Sequence, residues 1–313
     1  MRRKLPLFAC ILLLFLLMGC SASTASDPPL PPGPTAPAQP ARAQEPSPSP
    51  TPSPTPAPTP EPAPTPTPVE PYEFGTPLEE SEPVEDDSFF DTSVFLGDSR
   101  TEGFQLFSGM KHGDFFWARG MTVFRADSED YRLFEIDGQK YSMLEALALK
   151  QYDNVYVMLG VNELGFSAGT YEEGLGELVD KIMAVQPDAV VYLQIMPPLN
   201  DSMCRKNGLD HYINNANLAQ FNAAIVRVAA AKEAVLLNTA EVYTGEDGQL
   251  PAELANDGCH FSYSAYGRWA DYLRTHVMGR DRYFGNREQA LAEQAPAEQV
   301  PEEQTPAKQT PEQ

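Results

Sequence analysis

The stretch Ser-Val-Phe-Leu-Gly-Asp-Ser-Arg at residues 93–100 decides the fold class. Its first four residues form a short apolar run that stops at Gly97, which is typical of a buried strand that runs into a turn. Three more apolar runs end in a similar way, at residues 155–159, 189–196 and 234–237. The chain therefore contains four predicted buried strands, each followed by a loop.

Between the predicted strands, apolar residues recur three and four positions apart, as they do on one face of a helix. These residues are Met143, Leu144 and Leu147; Leu175, Leu178, Val179 and Ile182; Leu218, Phe221, Ile225 and Val228; and, in a closing segment at 265–277, Trp269, Leu273 and Val277. Strands that alternate with helices predict an α/β fold of three layers, α/β/α, with a mainly parallel sheet in a single domain. Ligands of such sheets bind outside the carboxyl ends of the strands.

The distribution of proline divides the chain into extended and folded parts. Most of the 31 prolines lie before residue 89, and every second residue from Pro46 to Pro68 is a proline. This composition favours polyproline II and buries little apolar surface. We predict a signal peptide at 1–19, a lipidated cysteine with a Pro-rich disordered linker at 20–88, a folded domain at 89–280 and a disordered Gln/Glu/Pro tail at 281–313. The linker either holds the domain away from a membrane or is a passive tether, and no function is predicted for the tail.

The N-terminus has the layout of an export signal, with basic residues at 2–4, an apolar run at 5–18 and small residues after it. The tetrad Leu17-Met18-Gly19-Cys20 resembles the lipobox of bacterial lipoproteins. The resemblance implies that Cys20 carries a lipid and that the protein lies outside the cytoplasm, anchored to the cell membrane. An uncleaved membrane anchor and ordinary signal cleavage are the alternatives.

Charge and residue usage exclude some classes of function. The formal net charge is −22, so the chain lacks the basic footprint that a nucleic-acid partner requires. No metal site is predicted, because none of the four histidines is paired at i and i+4 and no CxxC motif occurs. His112, His211 and His276 are predicted to lie at the surface. We expect a monomer.

Residues with useful chemistry follow the first and the second predicted strand and precede the closing helix. Ser99 stands at a strand-to-helix turn, where a hydroxyl can be exposed with backbone N–H groups behind it. Asn162 follows the second strand and could donate to a developing oxyanion. Asp257 stands three residues before His260, close enough to orient the imidazole and leave its other nitrogen free to act as a base.

In this order and spacing the chain resembles the SGNH hydrolases, the GDSL-type esterases and lipases, over about residues 92–278. The resemblance implies a catalytic triad of Ser99, Asp257 and His260. It also implies an oxyanion hole formed by Ser99, Gly120 and Asn162, with Gly113 as the alternative to Gly120. The family needs no cofactor, and none is expected here.

Two residues depart from the family pattern, and both border the expected pocket. Arg100 replaces the leucine of the GDSL motif, and Glu163 replaces the aspartate usual after the block-three asparagine. Arg100 either contacts an anionic or sugar substrate or is simply solvated; the sequence favours solvation. Cys204 and Cys259 are expected at the same sheet edge, either as a disulfide or as two free thiols.

The resemblance implies a serine hydrolase of the carboxylesterase or acetylesterase type. Because the protein is expected at the cell surface, the predicted substrate is an acylated glycan, in particular an acetylated one, of the cell wall or the extracellular space. Two alternatives remain open at this point. The same residues could serve an O-acyltransferase that works with a membrane partner, or the chain could be a non-catalytic glycan-binding lipoprotein.

Overall fold

The structure is a computed structural model that describes residues 71–294. The predictions for the signal peptide, for lipidation of Cys20, for the linker up to residue 70 and for the tail from residue 295 lie outside the described residues. No helix in the described range is long and apolar enough to span a bilayer.

The strands are β1 (Ser93–Gly97), β2 (Asp114–Trp117), β3 (Phe134–Ile136), β4 (Gln139–Tyr141), β5 (Asn154–Met158), β6 (Val190–Gln194) and β7 (Val235–Leu237). Five of them form a parallel sheet at the centre of the fold, in the order β2-β1-β5-β6-β7. Counting these five strands along the chain, the order is 2-1-3-4-5, which is the flavodoxin-like arrangement. A short antiparallel hairpin, β3-β4, lies outside the sheet.

Helices cover both faces of the sheet and so make three layers. They are α1 (Ser99–Phe107), α2 (Met143–Leu147), α3 (Ala168–Val185), α4 (Asp201–Lys206), α5 (Asn215–Ala231), α6 (Tyr266–Thr275) and α7 (Arg280–Gln294). One core joins α2, α3 and α5 to the sheet face that carries Val94, Val155 and Val191. A second core joins α1, α6 and α7 to the face that carries Phe95 and Tyr156. Neighbouring strand residues thus enter opposite cores, as the pleat requires.

The predicted fold class is confirmed, and all four predicted strands are present as β1, β5, β6 and β7. These strands are buried along their whole length, which is why they read as continuous apolar runs. The strand β2 and the hairpin were not predicted. In the hairpin, Asp137 and Gly138 take φ angles of 52° and 77°, the pair of positive values that a tight two-residue turn needs.

The predicted boundaries of the folded domain need correction at both ends. Residues 71–78 belong to the fold: Tyr72 and Leu78 are buried, and the Leu78 N–H donates to the Leu236 carbonyl at 2.8 Å. Residues 280–294 form α7, in which Tyr283 is fully buried. These buried residues lie in segments rich in proline or in Gln and Glu, and that composition led to the prediction of disorder. We call residues 71–78 and α7 the terminal clasp.

The three histidines predicted at the surface differ in exposure. His211 is exposed and His112 is half-buried, paired with Asp91 at 2.7 Å. His276 is buried, which corrects the prediction, because its ring stacks on Tyr272 at 3.8 Å between centroids.

Candidate active site

Ser99 is the first residue of α1, at the carboxyl end of β1. Asp98 caps this helix, with its Oδ1 accepting from the Arg100 N–H at 2.8 Å. Gly97 is required here, because an added Cβ would lie 2.9 Å from the Met158 carbonyl oxygen and would also collide with Thr101. The sharp turn from strand to helix therefore presents the Ser99 hydroxyl at the edge of the sheet.

A tight turn at residues 257–260 brings His260 to the same edge. One carboxylate oxygen of Asp257 accepts the backbone N–H groups of Cys259 and His260, at 2.9 and 2.7 Å. Gly258 takes a φ of 101°, a value that disfavours a side chain, and an added Cβ there would lie 2.6 Å from the Cys204 nitrogen. The turn is thus built on Asp257, which leaves its second oxygen free for the imidazole.

The structure brings Ser99, His260 and Asp257 into a continuous hydrogen-bonded chain. Ser99 Oγ lies 2.8 Å from His260 Nε2, and His260 Nδ1 lies 2.7 Å from Asp257 Oδ2. Burial alone would raise the pKa of Asp257, but hydrogen bonds from His260 and Cys259 outweigh it and hold the pKa below its ordinary value. Asp257 is therefore a carboxylate that can fix the tautomer of His260 with its proton on Nδ1.

The two candidate glycines for the oxyanion hole lie at different places. Gly120 follows β2 and lines the same cleft as Ser99. Gly113 precedes β2, at the amino end of the parallel sheet, and is packed against Phe95. Since ligands approach parallel sheets at the carboxyl end, the structure favours Gly120 over Gly113.

Asn162 also lines the cleft, within a 3₁₀ turn that follows β5. Gly160, with a φ of 137°, makes the bend from the strand into this turn. The side-chain Nδ2 of Asn162 donates to the Met121 carbonyl at 3.0 Å and to Asp98 Oδ2 at 3.2 Å. To donate to an oxyanion, the side chain would have to give up one of these two hydrogen bonds. The hydrogen bond to Asp98 is the longer of the two, so it is the one that we expect to be exchanged.

Two carboxyl groups are buried beneath the site, on Asp98 and Glu163. Burial raises the pKa of Glu163 to about 8, and the nearby charge of Asp98 acts in the same direction. The N–H of Val123 donates to Glu163 Oε1 at 2.7 Å and lowers the pKa in part. Burial likewise raises the pKa of Asp98, which the hydrogen bond from Arg100 N–H and the charge of Arg100 oppose. Glu163 therefore holds a proton near neutral pH and joins the segment after β2 to the turn after β5.

Arg100 is neither solvated nor in contact with the cleft, which corrects both alternatives drawn from the sequence. Its side chain is 1% exposed. Nε donates to the Cys259 carbonyl at 3.0 Å and Nη1 donates to the Pro197 carbonyl at 3.2 Å. Both partners are backbone groups in distant loops, so the sequence around Arg100 gave no sign of them.

Ser99, His260, Gly120 and Asn162 share an open cleft of about 540 Å³, within the usual size range of small-molecule sites. Its rim carries residues that the sequence analysis missed, Glu102, Leu106, Phe107, Arg119, Asn256, Tyr263 and Tyr266. The Phe107 and Tyr263 rings lie 4.4 Å apart and are 42% and 68% exposed. The positions three, four, seven and eight residues after Ser99 on α1 face the cleft, so helical spacing alone could have predicted the rim residues on this helix.

Cys204 and Cys259 are buried free thiols in the structure, which is one of the two alternatives that the sequence left open. Burial raises the pKa of Cys204 to about 11 and also raises that of Cys259, so both thiols are protonated near neutral pH. Within residues 71–294 there is no group of three or more His, Cys, Asp or Glu side chains placed to hold a metal ion.

Several solved structures are similar to this chain. A candidate platelet activating factor from Streptococcus pneumonia is 20% identical, over 58% of this chain and 81% of that chain, with a TM-score of 0.47. A GDSL-like lipase from Bacteroides thetaiotaomicron is 15% identical, over 68% and 92%, with a TM-score of 0.43. Phospholipase A1 from Streptomyces albidoflavus is 16% identical, over 59% and 98%, with a TM-score of 0.40.

A search of the curated proteins found no match. The model of the GDSL-like lipase/acylhydrolase family matches residues 95–268, which is more than half of the chain and runs from β1 into α6. The chain therefore belongs to the GDSL-like lipase/acylhydrolase family.

Proposed function

We propose that this protein is a serine esterase that removes acyl groups, acetyl in particular, from a glycan of the cell wall or the extracellular space. The observation that carries the proposal is the chain of hydrogen bonds from Ser99 through His260 to Asp257, at 2.8 and 2.7 Å. A hydroxyl, an imidazole and a carboxylate in this order can activate the hydroxyl as a nucleophile.

In the first half of the reaction, Ser99 Oγ attacks the ester carbonyl while His260 Nε2 takes its proton. The N–H groups of Ser99 and Gly120 and the amide of Asn162 would stabilise the tetrahedral oxyanion. When the carbon–oxygen bond of the ester breaks, His260 returns the proton to the alcohol that leaves. Water then attacks the acyl-Ser99 ester with His260 again as base, which releases the acid and restores Ser99.

The rim of the cleft supports a sugar as the alcohol. Phe107 and Tyr263 form an exposed aromatic surface beside Ser99, and exposed apolar surface with a polar border marks a ligand-binding groove. The C–H face of a sugar ring can pack on such rings, while Glu102 and Arg119 supply polar groups nearby. The bidentate Arg119–Glu102 pair, at 2.6 and 2.7 Å, holds these side chains at the edge of the cleft.

The first experiment compares the full chain with its Ser99→Ala variant on p-nitrophenyl acetate and on an acetylated glycan. We expect turnover on both substrates, and loss of at least about 10³-fold in the variant. Ser202→Ala, which removes an exposed hydroxyl on α4, is the matched control and should be as active as the wild type. Equal rates in wild type and Ser99→Ala would contradict the proposal. Acyl transfer to an added glycan, without hydrolysis, would instead identify an acyltransferase.

We further propose that a lipid on Cys20 anchors the protein to the outer face of the cytoplasmic membrane. The proposal is supported by the sequence Leu17-Met18-Gly19-Cys20 after an apolar run. Metabolic labelling with a palmitate analogue should mark the wild type and leave Cys20→Ala unmarked, with Cys10→Ala as the control that remains marked. An unmodified Cys20 in the mass spectrum of the mature protein would contradict the anchor.

A further inference from the structure

Arg100 lies between the turn that carries Ser99 and the turn that carries His260. Its guanidinium reaches the carbonyls of Cys259 and Pro197, at 3.0 and 3.2 Å. With 1% of its surface exposed, the side chain contacts neither solvent nor a substrate in the cleft. Any effect of Arg100 on the reaction has to pass through the residues that it holds.

The peptide bond between Cys259 and His260 is held from both sides. Its carbonyl accepts from Arg100 Nε, and its N–H donates to Asp257 Oδ1 at 2.7 Å. Because a peptide unit is planar, fixing both groups fixes the plane and, with it, the position of the His260 Cα from which the side chain leaves the backbone. Arg100 directly follows Ser99, so this contact joins the two partners of the proposed proton transfer without using the hydrogen bond between them.

A buried charge is costly unless it is compensated. The compensation for Arg100 comes from the two carbonyls, from the buried Asp98 that its charge attracts, and from the Phe261 ring 5.2 Å from its guanidinium carbon. Nη2 has no hydrogen-bond partner among residues 71–294. A leucine at this position is shorter than arginine and would leave the Cys259 and Pro197 carbonyls without these donors.

We propose that Arg100 is a positioning residue that keeps His260 in line with Ser99. The inference about rate rests on the proposed esterase activity, whereas the inference about the backbone of His260 does not. A misplacement of about 1 Å from a change outside the reacting groups can cost about 100-fold in rate. Because Arg100 does not contact the cleft, this cost should appear in kcat and leave KM unchanged.

The test compares Arg100→Leu, Arg100→Lys and a control, Arg227→Leu, which removes an exposed arginine paired with Glu172 on the distant pair of helices α3 and α5. We expect kcat on p-nitrophenyl acetate to fall about 100-fold in Arg100→Leu and at least about tenfold in Arg100→Lys, with KM within about twofold in both. Lysine keeps the charge and loses the fork that reaches two carbonyls. If Arg100→Leu does not fold, the result for Arg100→Lys decides the question. A folded variant whose kcat lies within about threefold of wild type overturns the proposal.

Hydrogen exchange measured on a peptic fragment that covers residues 255–262 gives a readout that does not depend on activity. We expect exchange in this fragment to be at least about tenfold faster in Arg100→Leu than in wild type and in Arg227→Leu. Unchanged exchange overturns the proposed role of Arg100, even if the protein is an active esterase. A wild type without esterase activity would refute the proposed function, while the exchange experiment would still decide whether Arg100 holds the turn.

Discussion

Asn162 and Asp98 join the two loops that follow the neighbouring strands β1 and β5, with Asn162 Nδ2 lying 3.2 Å from Asp98 Oδ2. Asp98 caps the helix that begins with Ser99. The amide that would serve the oxyanion is thus held, before substrate arrives, by the residue next to the proposed nucleophile. To donate to an oxyanion, the amide would exchange this longer contact and keep its 3.0 Å hydrogen bond to the Met121 carbonyl, so that only one of its two contacts has to change.

Replacing Asn162 by alanine should lower kcat on p-nitrophenyl acetate by about 100 to 1,000-fold, since loss of one oxyanion donor has that effect. Steady-state kinetics together with thermal unfolding would show whether the loss comes from chemistry or from the fold. Asn214→Ala, which removes the cap of α5, is a control for the loss of an asparagine outside the cleft. A loss under about fivefold would remove Asn162 from the oxyanion hole.

Asp257→Asn should lower kcat by on the order of 10⁴-fold. The amide keeps the shape of the carboxylate, but it no longer favours the tautomer of His260 that has its proton on Nδ1. Because Asp257 also accepts two backbone N–H groups, circular dichroism should accompany the kinetics. Activity within about tenfold of wild type would show that Asp257 does not orient His260.

The contribution of Glu163 to stability should fall as the pH rises from about 4.5 to about 8. Its carboxyl has a pKa raised to about 8, against 4.5 as its ordinary value, so this group binds more protons in the folded chain than in the unfolded chain in this range. Its contribution to the free energy of unfolding therefore decreases with increasing pH there. Urea unfolding midpoints at pH 5 and pH 8 measure this difference.

Glu163→Gln should reduce that pH dependence, because the amide mimics the protonated carboxyl and can still accept from Val123. Part of the dependence should remain, since burial raises the pKa of Asp98 as well. The exposed Glu177 provides the control, and Glu177→Gln should show the wild-type dependence. Identical slopes for wild type and Glu163→Gln would contradict a protonated Glu163.

Tyr72→Phe should lower the free energy of unfolding by about 1–3 kcal/mol, the cost of leaving a buried donor without its acceptor. The Tyr72 hydroxyl accepts from the Leu236 N–H at 2.9 Å and donates to the Thr76 carbonyl at 2.5 Å. Urea denaturation gives the change, with the half-buried Tyr141→Phe on β4 as the control. Equal stability of Tyr72→Phe and wild type would mean that the hydrogen bonds of the Tyr72 hydroxyl do not stabilise the fold.

The sequence was sufficient for the elements that carry the site. Strands buried on both faces must be apolar throughout, so β1, β5, β6 and β7 were visible as short apolar runs, and Ser99 and Asn162 could be placed at their ends. Asp257 and His260 are three residues apart, so their contact is local. The edge strand β2 is only half-buried, and its four residues did not stand out.

Arg100 could not be predicted in the same way. Its acceptors, the Cys259 and Pro197 carbonyls, lie 159 and 97 residues away along the chain, and a backbone carbonyl has no signature in a sequence. The cleft aromatics Phe107 and Tyr263 are likewise distant from each other in sequence. Contacts that combine distant loops require the fold before they can be seen.

The terminal clasp also determines which part of the structure would first bear a force applied to the N-terminal side of the chain. Tyr72 N–H donates to Asn286 Oδ1 at 3.0 Å, so residues 71–78 lie against α7 and beside the edge strand β7. Neither β7 nor α7 supplies a residue of the cleft. A force applied to the chain before residue 71 would first be borne by these hydrogen bonds. The terminal clasp would thus protect the loops that carry Ser99 and His260 from that force.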